Sequence, residues 1–263
     1  MSRLPLEVAD LVRVAGPTFI QRRRRWIQAR RREILPTRYV HLVFTLPHQL
    51  APMARQNPGL LYGLLFRTTA ETLLEVARHR KHLGAHIGFF RVLHTWNQKL
   101  EHHPHVHCVV AAGGLSLDHT RWLSSPHRFF LPHPVLARVF RGKFVAALKR
   151  AFAQGQLRFQ GPLQRLASPQ AFSSFLRPLF RQDWVVYCKP PFGGPDYVLH
   201  YLCAYTHRVA ISNHRLLSLT GDQVTFRWRD STHANQQRLL TLPVEQFLRR
   251  FLLHVLPPGF VRI

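Results

Sequence analysis

Residues 86–111 read HIGFFRVLHTWNQKLEHHPHVHCVVA. The stretches 86–97 and 105–111 are rich in β-branched and aromatic residues, which predicts two strands. The short segment KLEHHP between them predicts a hairpin. In the second strand His105 and His107 flank Val106. Residues i and i+2 of a strand share a face, so both imidazoles project together and Val106 points the other way. Two neutral imidazoles can hold a divalent metal. With 18 histidines in the chain, roughly one such pair arises by chance. On spacing alone, ordinary half-buried histidines and a metal pair therefore both stand. His103 and His105 have the same spacing, but Pro104 between them is expected to break the strand.

Working outward, 38–46 (RYVHLVFTL) predicts a strand that Pro47 ends. Residues 59–83 carry a helical period through Leu61, Leu64, Leu65, Thr68, Thr72 and Val76. Gly113 and Gly114 predict a turn, and 115–131 short strands. Helices are expected at 134–153 and at 169–182, the latter behind a Ser168-Pro169 cap signal. A strand at 184–189 leads into a Pro- and Gly-rich loop and a short helix at 196–206. Strands are expected at 208–212, 215–219 and 223–229, with Thr220-Gly221-Asp222 as a hairpin turn, and a closing helix at 243–255. Strands and helices mixed without regular βαβ alternation argue an α+β fold with a mainly antiparallel sheet.

The chain has 263 residues, enough to bury a substantial core. Its 37 Lys and Arg against 12 Asp and Glu give a formal charge of +25. Such an excess points to a polyanionic partner, usually nucleic acid. The basic residues are nearly all Arg, whose fork matches phosphate oxygens, although an Arg-rich codon bias would give the same preference. Arg22, Arg23, Arg24, Arg25, Arg30, Arg31 and Arg32 crowd one predicted basic helix. That helix is either a solvated face or a phosphate-tracking one. The cysteines Cys108, Cys188 and Cys203 form no CxxC pair, which excludes a disulfide framework and a cysteine zinc ribbon. No apolar run reaches the roughly 18 residues of a membrane span, and residues 1–10 lack a signal-peptide core. A cytoplasmic protein without a membrane segment is expected.

Tyr201 and Tyr205 lie four apart on the short predicted helix, and share a face there. They suit packing on a sheet. They equally suit two nucleophiles, since a phenolate can attack a phosphodiester and form a phosphotyrosine link. A phenol's ordinary pKa is about 10, so a metal or a cation such as Arg208 or His207 would have to assist.

Three motifs occur together in one order: VFTLP at 43–47; HTWNQKLEHHPHVHCVV at 94–110 with GGLS at 113–116; and YLCAYTHRVAISNHRL at 201–216. With RWRD at 227–230 and LPPGFVRI at 256–263, the chain resembles the two-tyrosine HUH endonucleases of the insertion-sequence ninety-one family, the rolling-circle transposases. The resemblance covers about residues 22–263. It implies an HUH endonuclease-like domain at 38–263, an antiparallel sheet flanked by helices, preceded by a basic helical segment at 1–37. It implies His105 and His107 as ligands of Mg²⁺ or Mn²⁺, and Tyr201 and Tyr205 as nucleophiles. A third ligand is needed, and Gln98 is the candidate, with His103 and His207 next.

The implied function is nicking and joining of single-stranded DNA at transposon ends through a 5′-phosphotyrosine. Arg22 to Arg25, Arg30, Arg31 and Arg208 would hold the DNA, and Trp96, Trp184, Tyr187 and Trp228 are candidates for stacking on bases. The alternative is an inactive remnant that only binds DNA. The family is also expected to carry a cysteine-rich zinc-binding segment ahead of this stretch and further chain beyond it. Ala204 and Ala111-Ala112 stand where relatives are expected to have Arg and Pro-Gly.

Overall fold

The hairpin expected from residues 86–111 is present and forms one side of the main sheet, its first strand at the sheet edge. In the computed structural model the described residues are 25, 28–29, 31, 34–125, 130–188, 197–198, 210–230 and 233–255. Strands β1 (Tyr39–Thr45), β2 (Ala85–Trp96) and β3 (His102–Ser116) are joined by β4 (Trp122–Ser124) and β5 (Val186–Cys188). The order is β2-β3-β1-β5, with β4 on the far end of β3, and every pairing is antiparallel.

One face of this sheet is covered by helices. These are α1 (Ala51–Gln56), α2 (Pro58–Arg78), α3 (His133–Ala153) and α4 (Pro169–Arg181). Alternation puts Leu42, Phe44, Leu93, Val106 and Cys108 into that layer, where they join Leu61, Leu65, Phe140 and Phe144 in one core. Helix α2 buries the periodic positions read from its sequence. Its buried Thr68 and Thr72 hydroxyls donate back to the carbonyls of Leu64 and Thr68, at 2.8 and 2.7 Å, so the polar groups cost little. Ser168 caps α4 as expected, its Oγ accepting from the Ala171 N–H at 3.3 Å. Trp184 is not a surface platform. It is 3% exposed, packs on Phe140 and Phe144, and donates to the Leu179 carbonyl.

Two readings of β3 are corrected. Pro104 does not break the strand: it sits beside the register shift between His94 and Trp96, where a missing N–H is tolerated, and its carbonyl accepts from Leu46. Gly113 and Gly114 are not a turn but the continuation of the strand. A Cβ on Gly113 would stand 2.6 Å from the Leu123 carbonyl oxygen, and one on Gly114 would collide with the His86 carbonyl. Close backbone approach, not chain reversal, is what these glycines provide.

The C-terminal third forms a second sheet, β6 (Leu216–Thr220), β7 (Gln223–Asp230) and β8 (Gln236–Pro243), followed by α5 (Val244–Leu252). The turn at Gly221 lies where expected. Strand β8 was not anticipated, because its polar start gives little alternation. Residues 210–212 are irregular rather than a strand. Val224, Phe226 and Leu242 form a small core with Leu100 and Ala210, against which Phe247 and Phe251 of α5 pack. Leu100 belongs to the loop between β2 and β3, so the hairpin is plugged into the second sheet. No helix among the described residues is long and apolar enough to cross a membrane.

Candidate metal centre

On the sheet face away from the helices, β2 and β3 bring three imidazoles together. His105 and His107 share that face of β3, and His94 lies directly across from His105 on β2. Among the described residues these three offer nitrogens that all lie within 4.8 Å of one another. Ring centroids are 5.4 Å apart for His94 and His105, 4.3 Å for His94 and His107, and 4.8 Å for His105 and His107. His94 was missed in the sequence because only strand register reveals it as the partner of His105.

Each ring is held from outside. Nδ1 of His105 lies 2.6 Å from the His103 carbonyl. A carbonyl only accepts, so Nδ1 carries the proton and Nε2 keeps its lone pair. Burial pushes the His105 pKa down to about 4, against a smaller upward effect of the His103 carbonyl. The imidazole is therefore neutral at physiological pH, the state a metal ligand needs. Nδ1 of His107 lies 2.8 Å from Nε2 of His41 on β1. His94 stacks on Trp96 at 4.5 Å. A set of three imidazole nitrogen donors on two paired strands suits a divalent transition metal, with positions left for oxygen ligands.

The loop that joins these strands is fixed on both sides. The Asn97 carboxamide oxygen accepts from the N–H groups of Lys99 and Glu101 at 2.9 and 3.0 Å. Three consecutive carbonyls accept from the C-terminal third: Gln98 from Arg215, Lys99 from Arg250 at 3.0 Å, and Leu100 from His254 at 3.1 Å. Leu100 itself is fully buried at a positive φ of 61°.

The triad lies in a cleft of about 470 Å³ whose other wall is the second sheet. Gln98 and His103 line it, as do Trp96 and Trp228. Lys99 Nζ sits 4.3 Å over the Trp228 ring. Tyr187 is exposed on β5, opposite Val43. Arg25 and Arg31 are helical and exposed. Arg22, Arg23, Arg24, Arg30, Tyr201, Tyr205, His207 and Arg208 lie outside the described residues. The described residues on either side of the tyrosines bear on the site. Val198 is fully buried with Tyr39, Val92 and Val109 on the triad's side of the sheet, and Ala210 lines the cleft.

Residues 88–263 match the Y2_Tnp family, described as "Putative transposase". The chain belongs to this transposase family. It is 53% identical over 241 residues to "Putative transposase y4qJ" of Sinorhizobium fredii (strain NBRC 101917 / NGR234), covering 92% of this chain and 61% of that relative. It is 28% identical over 245 residues to the "Transposase for insertion sequence element IS801" of Pseudomonas savastanoi pv. phaseolicola, covering 88% of this chain and 54% of that one. The chain thus spans between about half and three fifths of these relatives' lengths. Among solved structures, the metal-free conjugative relaxase TrwC in complex with oriT DNA superposes with a TM-score of 0.31 at 16% identity. The match covers 64% of this chain and 71% of that one, a superposition too loose to carry a conclusion. The family is the one that the three motifs predicted.

Proposed function

We propose that this chain cuts and joins single-stranded DNA at transposon ends, using a tyrosine nucleophile beside a divalent metal held by His94, His105 and His107. The observation that carries the reading is the convergence of three imidazoles in one cleft of a transposase-family chain with a charge of +25. A bound Mg²⁺ or Mn²⁺ would supply Lewis-acid polarisation of the scissile phosphate. The protein's own residues do the rest. His41 and the His103 carbonyl orient two of the donor rings, and the loop 97–101 fixes the distance between the strands that carry them.

Tyr201 or Tyr205 acts as nucleophile. Its phenolic oxygen forms a bond to phosphorus while the bond from phosphorus to the 3′ oxygen breaks. The phenolic proton leaves to solvent or a nearby base, and the departing 3′ oxygen is protonated. The products are a 5′-phosphotyrosine and a free 3′-OH. The phosphodiester energy stays in the covalent link, so rejoining needs no nucleotide cofactor. Two tyrosines allow a second strand end to be taken while the first remains attached. The positions of Val198 and Ala210 support this use, because both flanks of the tyrosine segment lie on the triad's side of the sheet.

A denaturing gel tests the proposal. Labelled single-stranded DNA from the ends of the element should co-migrate with protein in Mn²⁺ and not in EDTA. The adduct should disappear in the Tyr201→Phe/Tyr205→Phe double variant. It should also disappear in His94→Ala, which keeps His105 and His107, and that variant should lose Mn²⁺ binding by electron paramagnetic resonance. Tight DNA binding without any adduct would favour a chain that binds but does not cut. An adduct that survives the loss of both tyrosines would overturn the mechanism.

A further inference from the structure

The second sheet spends only one of its faces on its own core. Val224, Phe226 and Leu242 point toward α5. Alternation therefore turns Thr225, Arg227 and Arg229 of β7 to the opposite face. Their cross-strand partners on β8 are Thr241, Leu239 and Gln237. Arg227, Arg229 and all three partners are exposed, and Leu239 is 63% exposed. The result, among the described residues, is an exposed sheet face with two cations, hydrogen-bonding side chains and one apolar contact.

This surface runs into the cleft of the histidine triad, which Arg227, Arg229 and Gln237 line. No acidic residue lines that cleft among the described residues. The cleft has a third arginine, Arg215, but its guanidinium is engaged: Nε donates to the Arg227 carbonyl at 2.7 Å and Nη2 to that of Gln98. Neither the Arg227 nor the Arg229 guanidinium is in an ion pair among the described residues. Asp230, the nearest acid in sequence, is buried on the other face and is bonded to His233 and Arg238. Two residues along a strand advance about 6.7 Å, so Arg227 and Arg229 follow one another along the same face of β7, and both line the cleft.

We infer that the outer face of β7 and β8 is a binding platform for single-stranded DNA, on which Arg227 and Arg229 grip backbone phosphates of the strand that continues past the triad. The inference rests on the reading of the cleft as the seat of strand cleavage. Charge complementarity carries it: paired arginine forks match phosphate oxygens, and among the described residues no carboxylate pairs with them. The side chains offered are those of a backbone reader, so the platform holds the strand without reading its bases. The Leu239 side chain gives an apolar rest for a base or sugar between phosphate contacts.

The test is fluorescence anisotropy of a labelled single-stranded oligonucleotide with the full chain in EDTA, where no cutting occurs, over a range of salt. Arg227→Gln/Arg229→Gln should weaken binding about tenfold or more. It should also lower the slope of log affinity against log salt by about 1.4, since each single-strand phosphate contributes about 0.7. Arg227→Lys/Arg229→Lys keeps both charges and should restore most of the slope. The comparison is Arg150→Gln/Arg165→Gln, which removes two exposed arginines of the helical layer. An equal loss in that pair would make the effect one of net charge and overturn the platform, as would an unchanged slope in the glutamine variant. Loss of slope in a protein that forms no adduct with Mn²⁺ would leave the platform standing and the cleavage reading refuted. An adduct in the wild type with unchanged binding in the glutamine variant would do the reverse.

Discussion

Nε2 of His41 and Nδ1 of His107 lie 2.8 Å apart, with their rings parallel to within 3°. The two residues sit diagonally on neighbouring antiparallel strands, since His41 pairs with Val109 and Val43 pairs with His107. The bond takes up one nitrogen of His107 and so leaves Nε2 as the one that can serve a metal. It also fixes the plane of the ring before any ligand arrives. His41 is thus a positioning residue for the triad, reached from a strand that carries no ligand itself.

Replacing His41 should therefore act on metal affinity more than on the fold. His41→Ala is expected to weaken Mn²⁺ binding by about 10- to 100-fold, the usual range for a residue that orients a ligand. His41→Asn, which can still hydrogen-bond toward Nδ1, should recover part of it. Isothermal titration with Mn²⁺ reads this directly, with the thermal midpoint as a control for folding. Equal Mn²⁺ affinity in wild type and His41→Ala would remove the positioning role.

Acid should weaken the attachment between the two sheets. Burial pulls the His254 pKa down to about 4, the Leu100 carbonyl opposing it. His102, whose Nε2 is bonded to the Tyr62 hydroxyl at 2.8 Å, is pulled to about 4 as well. Burial is the main cause there, followed by His254 and Arg55. In the unfolded chain a histidine titrates near 6.5. Between about pH 6.5 and 4 the unfolded state binds protons that the folded state refuses, so stability is full above pH 6.5 and declines as pH falls toward 4. The urea midpoint should fall between pH 7 and 4.5, and His254→Gln should make that fall shallower. A midpoint that is flat over this range, or one equally steep in the variant, would contradict the assignment.

Glycines of the two layers should respond to alanine in opposite directions. Gly114→Ala drives a methyl into the His86 carbonyl across the hairpin and should cost about 1–3 kcal/mol, as overpacking does. Gly142 lies inside α3 with open space where a Cβ would go. Gly142→Ala should stabilise by about 0.5–1 kcal/mol through helix propensity. Urea denaturation of both variants decides the matter. A neutral Gly114→Ala would mean that the β2–β3 hairpin yields at that point.

Much of the frame was legible because it obeys single-strand or single-helix periodicity. The apolar spacing of α2 and α3, the cap at Ser168 and the β-branched runs of β1 and β2 need no knowledge of what they pack against. The main sheet's antiparallel character followed from the lack of regular βαβ alternation, and the short connection at 98–104 gave the β2–β3 hairpin. The rest depends on partners. His94 becomes a neighbour of His105 only once the register is fixed, and a bulge near Thr95 shifts that register by one residue just beyond it. Pro104 is tolerated because of that same irregularity. Gly113 and Gly114 look like a turn until Trp122, Leu123 and His86 are seen crowding against them. Strand β8 begins with Gln236, Gln237 and Arg238, whose polarity hides a strand that pairs with β7 along its whole length.

The Leu100 plug and the three loop carbonyls have a consequence for how the chain can be divided. A cut near residue 210 would look natural, since it separates the two sheets. It would leave the first piece with a fully buried leucine thrown into water and the carbonyls of Gln98, Lys99 and Leu100 without Arg215, Arg250 and His254. It would leave the second piece with a hole at the centre of its core. The two sheets are therefore not modules that could be expressed, shuffled or grafted separately. Any chimera built within this family has to take the 97–101 loop and the 210–255 segment from the same parent.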